Sequence, residues 1–242
     1  MYQTTYHRPS SVDEAAALFA KGTEAKYLAG GHTLIPVMKQ RLASPSDVID
    51  LGKIKELIGI EASADTLTIK AATPYYDIMT SADVKKAIPA IAELTAMLGD
   101  PAVRHRGTIG GSIANNDPAA DFPAALLALG ATVKTNKRSI AADDFFKGLF
   151  TTALEDGEII TAVSFPIPAK AGDVRVAATG ASQSGVMRVP AAETALKANW
   201  SAGALDAIKI AADGLLSDIH GSSTYRANLI KVMAQRAVTA AG

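Results

Sequence analysis

The chain has 242 residues, of which 48% are hydrophobic, so it can bury the core of one large domain or of two ordinary ones. Because 24 Lys and Arg residues balance 24 Asp and Glu residues and the basic ones are scattered, the composition argues against a nucleic-acid-binding or membrane-surface protein. The absence of cysteine excludes disulfides, thiolate zinc sites and a cysteine nucleophile and argues against an iron–sulfur cluster in this chain, so redox chemistry here would need an organic cofactor.

The N-terminal region predicts a small βαβ-like unit. Ser11 and Glu14 have capping-box spacing before an alanine-rich helix, and Gly22 is expected to end that helix in the left-handed conformation. The elements that follow are a short buried strand at 25–29, the pair Gly30-Gly31, a helix at 34–42 and a strand at 48–51.

From residue 57 the pattern changes to that of a second subdomain. Two apolar runs flank Ser63-Ala64-Asp65, which predicts an antiparallel hairpin. The elements that follow are helices at 74–80 and 88–98, a long loop at 99–121, a helix at 122–129 and strands at 131–135 and 158–165. A loop of that length inside a compact domain is more often functional than idle. Pro166 and Pro168 then mark a boundary.

The C-terminal region predicts a smaller α+β unit. It begins with a strand at 174–181 and continues with alanine-rich helices at 191–199, 205–212 and 223–240. The sequence contains no internal repeat of solenoid length.

The two glycine pairs, Gly30-Gly31 and Gly110-Gly111, predict an anion site. Glycine lets backbone N–H groups approach phosphate oxygens closely, where a Cβ would block the approach. A helix start after the first pair adds further N–H groups, and Thr33 and His32 can donate from their side chains. A lone glycine pair is more often a simple turn, but a second pair makes a diphosphate site the better interpretation.

Polar residues surround the second glycine pair. Thr108 and Ser112 bracket it with hydroxyl groups. The residues that could bind sugar or polyol hydroxyls are Asn115, Asn116, Asp117 and Asp121. This cluster has no evident structural use, which favours a binding role for the segment.

Several functional classes are disfavoured by patterns that the sequence lacks. It has neither a GxGxxG fingerprint nor a GxxxxGK[ST] phosphate loop, and no nucleophile elbow. The four histidines, at 7, 32, 105 and 220, lack metal-ligand spacing, so no metal site is expected. The N-terminus has no basic segment followed by an apolar one, and no window holds about 18 apolar residues. We therefore expect a cytoplasmic protein without a transmembrane segment.

Two long motifs, AGGHTLIPVMKQRLASPSDVIDL at 29–51 and AVRHRGTIGGSIANNDPAADFPAALLALGA at 102–131, resemble the FAD-binding medium subunit of the molybdenum hydroxylases. The likeness is strongest to the carbon monoxide dehydrogenase and xanthine dehydrogenase type, and GEIITAVSFP and SDIHGSSTYRANLIKVMAQRAV extend it over most of the chain. It implies an α+β fold of the vanillyl-alcohol-oxidase (PCMH) type. In that fold, two α/β subdomains at about 1–55 and 56–168 hold FAD, and a small α+β C-terminal domain spans 173–242.

The resemblance also implies which residues bind FAD. Residues 29–33 and 108–112 would contact the diphosphate through backbone and hydroxyl groups, Asp121 the ribityl or ring side of the flavin, and Ile160 an apolar part of it. With Asn116 from the polar cluster, the predicted cofactor-binding residues are Ala29, Gly30, Gly31, His32, Thr33, Thr108, Ile109, Gly110, Gly111, Ser112, Asn116, Asp121 and Ile160. No residue of this chain is assigned a catalytic or metal-binding role.

In enzymes of this family the substrate is oxidised at a molybdopterin centre in a large subunit, and electrons pass through iron–sulfur clusters of a small subunit to FAD. The resemblance therefore implies a hetero-oligomer, a dimer of heterotrimers, in which this chain is the electron-transfer flavoprotein. The absence of cysteine agrees with that division of labour. The alternatives are a stand-alone flavin oxidase of the same fold and a scaffold that has lost FAD.

The sequence departs from the family pattern after Pro168. An aromatic-x-Lys-Phe strand and turn is usual there, whereas only Ala169–Gly172 stand between FPIP and DVRVAATGA. A shortened segment would remove contacts to the flavin ring.

Overall fold

The computed structural model describes residues 1–168 and 174–241, which form three packed units in chain order. The N-terminal unit (residues 1–57) contains β1 (Thr5–His7), α1 (Val12–Lys21), β2 (Lys26–Leu28), α2 (Leu34–Lys39), β3 (Asp47–Asp50) and a 3-10 helix at Lys55–Leu57. Its three strands are parallel in the order β1-β3-β2. This is the βαβ-like arrangement that the sequence predicts, although β2 is only partly buried.

The ends of α1 and α2 differ in detail from the prediction. The Ser11 hydroxyl accepts a hydrogen bond from the N–H of Glu14 at 3.2 Å and so caps α1 as expected. Gly22 ends that helix at φ −78°, so the predicted left-handed end is wrong. The second helix, α2, stops before its predicted end because Arg41 takes a left-handed φ of 60°, which an α-helix cannot include.

The middle unit (residues 60–168) is an antiparallel sheet covered by helices. Its elements are β4 (Ile60–Ala62), β5 (Thr66–Lys70), α3 (Tyr75–Thr80), α4 (Ala82–Ala87), α5 (Pro89–Met97), α6 (Pro101–Arg106), α7 (Ile109–Asn115), α8 (Phe122–Ala128), β6 (Thr132–Thr135), β7 (Ser139–Ala141), α9 (Ala142–Phe145), β8 (Phe146–Gly148), β9 (Thr151–Thr152) and β10 (Ile160–Pro166). Five strands form the sheet in the order β4-β5-β10-β6-β7, and β8 pairs with β9 separately. The predicted hairpin is β4 and β5.

Strand alternation decides which face of this sheet is buried. Leu67 and Ile69 of β5 are fully buried while Thr66 and Thr68 are not, which is the period-two pattern of a sheet covered on one face. Phe165 of β10 and Phe122 of α8 join the same cluster. Burial of each such side chain contributes about 1.5–3 kcal/mol to the free energy of folding through the hydrophobic effect.

The expected loop at 99–121 is wrong, because it contains α6 and α7. Asp100 starts α6: its Oδ1 accepts from the N–H of Val103 at 2.9 Å, and Pro101 occupies the first helical position, where it is well tolerated. Thr108 starts α7 in the same way by accepting from the N–H of Gly111 at 3.1 Å. The second glycine pair therefore lies in the first turn of a helix.

The C-terminal unit (residues 174–241) contains β11 (Ala177–Ser182), β12 (Gly185–Arg188), α10 (Pro190–Ala198), a 3-10 helix at Ala202–Leu205 and α11 (Ser223–Ala241). The helix expected at 205–212 is wrong. Ile208, Ile210 and Ala212 alternate with exposed residues and pack on the cluster of this unit, a period-two pattern that suits an extended chain. The segment Ala169–Gly172, on which the shortened flavin contact depends, lies outside the described residues.

The described elements together are an α+β fold, as expected. The N-terminal and middle units share part of one core, because Ala72 and Ile159 of the middle unit belong to the cluster that holds Ile49 and Leu57. This shared core fixes the two units around the cleft between them. In residues 1–168 and 174–241, no helix combines the length and apolarity needed to cross a membrane.

Candidate functional site

A pocket of about 520 Å³ lies between the N-terminal and middle units. This volume is within the range of small-molecule and cofactor sites. One part of its wall is formed by the first glycine segment (residues 29–33), and another by residues of the second glycine segment (residues 107–112). Apolar side chains complete it, namely Leu51, Leu57, Leu154, Ile159 and Ile160.

The first glycine segment lines the pocket and contains backbone donors without a protein acceptor. The N–H groups of Gly30, Gly31, His32 and Thr33 donate no hydrogen bond to any group in residues 1–168 and 174–241. Gly31 has φ +80°, a conformation that L side chains rarely adopt, and its carbonyl oxygen accepts the first hydrogen bond of α2. A row of free N–H groups in a turn is an arrangement that can bind an anion.

Gly30 has a different role, because it lets the two glycine segments touch. A Cβ on Gly30 would stand 2.2 Å from the carbonyl oxygen of Arg106 and 2.9 Å from the Cα of Gly107. Both atoms belong to the backbone, so neither can swing aside. The close approach of the two segments therefore requires glycine at this position.

The second glycine segment has fewer donors to offer. Within it, the N–H of Gly110 bonds the carbonyl oxygen of Ala71 at 2.9 Å, and those of Gly111 and Ser112 bond Thr108 at 3.1 and 3.0 Å. Gly110 also packs tightly, since a Cβ there would lie 2.7 Å from that same oxygen of Ala71. The N–H groups of these three residues are thus used within the protein, which leaves mainly the side-chain hydroxyl groups of the segment for a ligand.

Two tyrosines line the pocket with their rings held by other aromatic groups. Tyr27 stacks on Phe19 with ring centroids 4.7 Å apart, and its hydroxyl donates to the carbonyl oxygen of Gly157 at 3.1 Å. Burial, with a smaller effect of the Asp156 carboxylate, raises the pKa of Tyr27 to about 12. Tyr75 lies 5.4 Å from Phe122, and burial raises its pKa. Both phenols are therefore neutral at physiological pH.

Glu158 lines the pocket but is bonded to the protein. Its carboxylate accepts from Nε and Nη2 of Arg138 at 3.0 and 2.9 Å, from the Thr135 hydroxyl at 2.7 Å and from the N–H of Glu155 at 2.8 Å. The bonds from Arg138 outweigh the cost of burial and hold the pKa of Glu158 at about 2. We interpret Glu158 as a support of the pocket wall.

The structure brings most of the predicted site residues together on the pocket wall. These are Ala29, Gly30, Gly31, His32, Thr33, Thr108, Gly110, Gly111, Ser112 and Ile160. Three predicted residues do not line it. Ile109 is fully buried in the core of the middle unit. Asp121 is an exposed residue near Tyr75, and its negative charge raises the pKa of the Tyr75 phenol. Partial loss of hydration around the Asp121 carboxyl raises the pKa of Asp121 itself.

Asn116 also lies off the wall, where it holds a hairpin. It is 2% exposed, has φ +46°, and its Nδ2 donates to the carbonyl oxygens of Gly148 and Thr151 at 2.7 and 2.9 Å. The backbone carbonyl oxygen of Asn116 accepts a hydrogen bond from the N–H of Phe150 at 3.1 Å. Asn116 therefore joins the end of α7 to the β8–β9 hairpin.

This placement makes a prediction for the Asn116→Ala variant. Removing the amide leaves two carbonyl groups without their donor, and alanine tolerates the left-handed φ less well. We expect the free energy of unfolding, measured by urea denaturation, to fall by about 2–3 kcal/mol. An unchanged stability together with a large loss of ligand affinity would instead favour the role in binding that the sequence predicts.

Sequence reasoning missed several residues of the wall. Leu51, Leu57, Leu154 and the two tyrosines come from separate elements and carry no motif. Asn115 and Asp117, which the polar cluster includes, do line the pocket. Across residues 1–168 and 174–241, the structure contains no group of three or more His, Asp or Glu placed to hold a metal ion.

Comparison with known proteins gives the relatives of this chain. Residues 2–168 match the family model described as "FAD binding domain in molybdopterin dehydrogenase". The chain is 42% identical over 168 residues to the carbon monoxide dehydrogenase medium chain of Afipia carboxidovorans, an alignment that covers 67% of this chain and 58% of that protein. It is 34% identical over 275 positions to the carbon monoxide dehydrogenase medium chain of Hydrogenophaga pseudoflava, an alignment that covers 98% of this chain and 96% of that protein. Because 275 positions exceed the chain length, that relative has residues without a counterpart here.

Solved structures resemble the whole fold. The crystal structure of quinoline 2-oxidoreductase from Pseudomonas putida 86 superposes with a TM-score of 0.86 at 30% identity, covering 98% of this chain and 96% of that one. The structure of carbon monoxide dehydrogenase from Hydrogenophaga pseudoflava that lacks the Mo-pyranopterin moiety superposes with a TM-score of 0.84 at 33% identity. This match covers 97% of this chain and 95% of that one. The likeness therefore includes the C-terminal unit.

Proposed function

Since the chain belongs to the family of FAD-binding domains in molybdopterin dehydrogenases, we propose that it holds FAD in the pocket between its glycine segments and transfers electrons within a multi-subunit molybdenum hydroxylase. Membership of the family makes FAD the cofactor and the chain a flavoprotein subunit of an oxidoreductase. The site residues, the electron-transfer role and the partners are the proposed part.

The free N–H groups of the first glycine segment carry this proposal. In residues 1–168 and 174–241 the pocket wall has no Lys or Arg, so an anionic diphosphate would depend on backbone donors, hydroxyl groups and the ring of His32. Four adjacent N–H groups without a protein acceptor meet that need. The leucine and isoleucine side chains that also line the pocket suit a flat aromatic ring system.

The protein's own groups would bind and shield the cofactor. When bound, FAD supplies the redox chemistry by taking up electrons and releasing them to an acceptor. The first glycine segment would hold the diphosphate, while Leu154, Ile159 and Ile160 would exclude water from one side of the pocket. The neutral phenols of Tyr27 and Tyr75 would add apolar surface without adding charge.

We propose two partner subunits, a small one with iron–sulfur clusters and a large one with molybdopterin, in a dimer of heterotrimers. The chain has no cysteine to hold a cluster itself. Relatives named as medium chains or medium subunits, such as the nicotine 6-hydroxylase medium subunit of Paenarthrobacter nicotinovorans, support a multi-subunit assembly. We further propose an FAD-binding region at 1–168, with subdomains at about 1–55 and 56–168, and a C-terminal domain at 173–242. The cytoplasmic location stays a prediction.

Purification of the complete complex tests this function. We expect the chain to co-purify with its two partners, to show a flavin absorption band and to release FAD on denaturation. A colourless complex that cannot be reconstituted with FAD would overturn the proposal. Reduction of the flavin by an organic substrate in the isolated chain would overturn the electron-transfer role, because a chain that depends on partners for electrons should show none.

A further inference from the structure

The C-terminal unit contacts the pocket wall through one hydroxyl group. The single hydroxyl proton of Thr179 in β11 is shared between the carbonyl oxygens of Pro118 and Ala120, which lie 2.9 and 3.0 Å from Oγ1. These oxygens belong to the wall loop (residues 117–120), which joins α7 to α8. Asp117, Ala119 and Ala120 of this loop line the pocket.

The wall loop has few other anchors. Inside it, the N–H groups of Ala119 and Ala120 bond Asp117, at 2.8 and 2.9 Å. Within the part of the chain that the structure describes, the carbonyl oxygens of Pro118 and Ala120 accept from Thr179 alone. The position of the loop against the pocket thus depends on a residue of another unit.

The backbone next to Thr179 is bonded to α11. The next residue, Gly180, has φ +72°, and its carbonyl oxygen accepts from Nη1 of Arg226 on α11 at 2.6 Å. Nη2 of Arg226 also pairs with Asp218 at 2.6 Å. A chain of hydrogen bonds therefore connects α11, β11 and the wall loop.

We infer that Thr179 is a positioning residue of the FAD site, through which the C-terminal unit holds the wall loop against the cofactor. The inference rests on the proposed function, since it takes FAD as the ligand of the pocket. It assigns the C-terminal unit a part in cofactor binding although none of its described residues lines the pocket.

A second link between the same units provides a matched control. Arg175 donates from Nε to the carbonyl oxygen of Leu127 at 2.8 Å and forms an ion pair with Asp143. Neither partner lines the pocket. An Arg175→Ala variant therefore weakens the packing of the C-terminal unit without removing a bond to the wall loop.

The experiment compares Thr179→Val, Thr179→Ser and Arg175→Ala in the full chain. Valine keeps the shape but removes the donor, so we expect the FAD dissociation constant, measured by flavin fluorescence, to rise about tenfold. Serine keeps the hydroxyl and should restore binding to within about twofold of wild type. Arg175→Ala should lower the melting temperature and leave the dissociation constant within about twofold. Equal affinity in Thr179→Val and wild type, or equal losses in Thr179→Val and Arg175→Ala, would overturn the inference.

Hydrogen exchange without FAD separates this inference from the proposed function. We expect the amides of Ala119 and Ala120 to exchange about tenfold faster in Thr179→Val than in wild type or Arg175→Ala. Failure of the wild-type chain to bind FAD would overturn the function, whereas unchanged exchange in Thr179→Val would overturn the positioning role.

Discussion

Replacing Gly30 with alanine is expected to reduce the affinity for FAD by about tenfold to a hundredfold. The added methyl group would stand 2.2 Å from the carbonyl oxygen of Arg106 and 2.9 Å from the Cα of Gly107. Because both neighbours are backbone atoms, the glycine segments must move apart, and overpacking of this kind costs about 1–3 kcal/mol. The row of free N–H groups that starts at Gly30 would move with the first segment.

Gly148→Ala is the matched control for this variant. Gly148 has an ordinary φ, and no heavy atom lies within 4 Å of the position that its Cβ would take. Titration of each variant with FAD, followed by flavin fluorescence, should show affinity close to wild type for Gly148→Ala only. Melting temperatures without FAD report the loss of stability separately. Similar affinities in the two variants would contradict the role given to Gly30.

For Glu158→Gln, we expect the free energy of unfolding at pH 7 to fall by about 2 kcal/mol. The carboxylate is buried and accepts four hydrogen bonds, two of them from Arg138. Glutamine removes the charge and cannot accept all four. Since the Arg138 side chain is 42% exposed, water screens the pair, and the loss should stay below that of a fully buried ion pair.

The effect of pH on this pair has a definite sign. The pKa of Glu158 is lowered from 4.5 to about 2 in the folded protein, so its contribution is complete above about pH 4.5 and is lost as the pH falls towards 2. The difference in stability between wild type and Glu158→Gln should therefore shrink over that interval in urea titrations. Glu155→Gln is the control, because Glu155 is 57% exposed and its ion pairs should contribute less than about 1 kcal/mol. A difference that grows on acidification would contradict the assignment.

Local patterns predicted those elements whose signals lie close together in the chain. The hairpin of β4 and β5 followed from two apolar runs around a short polar turn, and the start of α1 followed from the spacing of Ser11 and Glu14. The helices α6 and α7 were missed because glycine, proline and asparagine are common in loops. In the folded chain, Asp100 and Thr108 cap these helices, and Gly110 packs against Ala71.

The candidate site shows the same division. The sequence predicted that both glycine pairs belong to one anion site, but it did not predict their separate roles. Gly30 and Gly110 allow close packing, while the first segment has the free donors. Asn116 was predicted to bind the cofactor because its residue type suits that role. Only the folded structure shows that the side-chain amide of Asn116 donates hydrogen bonds to the β8–β9 hairpin.

The amino-acid sequence by itself determined the α+β class, the two glycine segments and the family, because each depends on residue types at fixed spacing along the chain. Tertiary structure alone decided which N–H groups stay free, which glycines touch other backbone and which unit holds the wall loop. These properties depend on contacts between residues far apart in sequence, such as Gly30 with Arg106 and Thr179 with Pro118. No local pattern encodes such contacts, since they form only when the three units pack together.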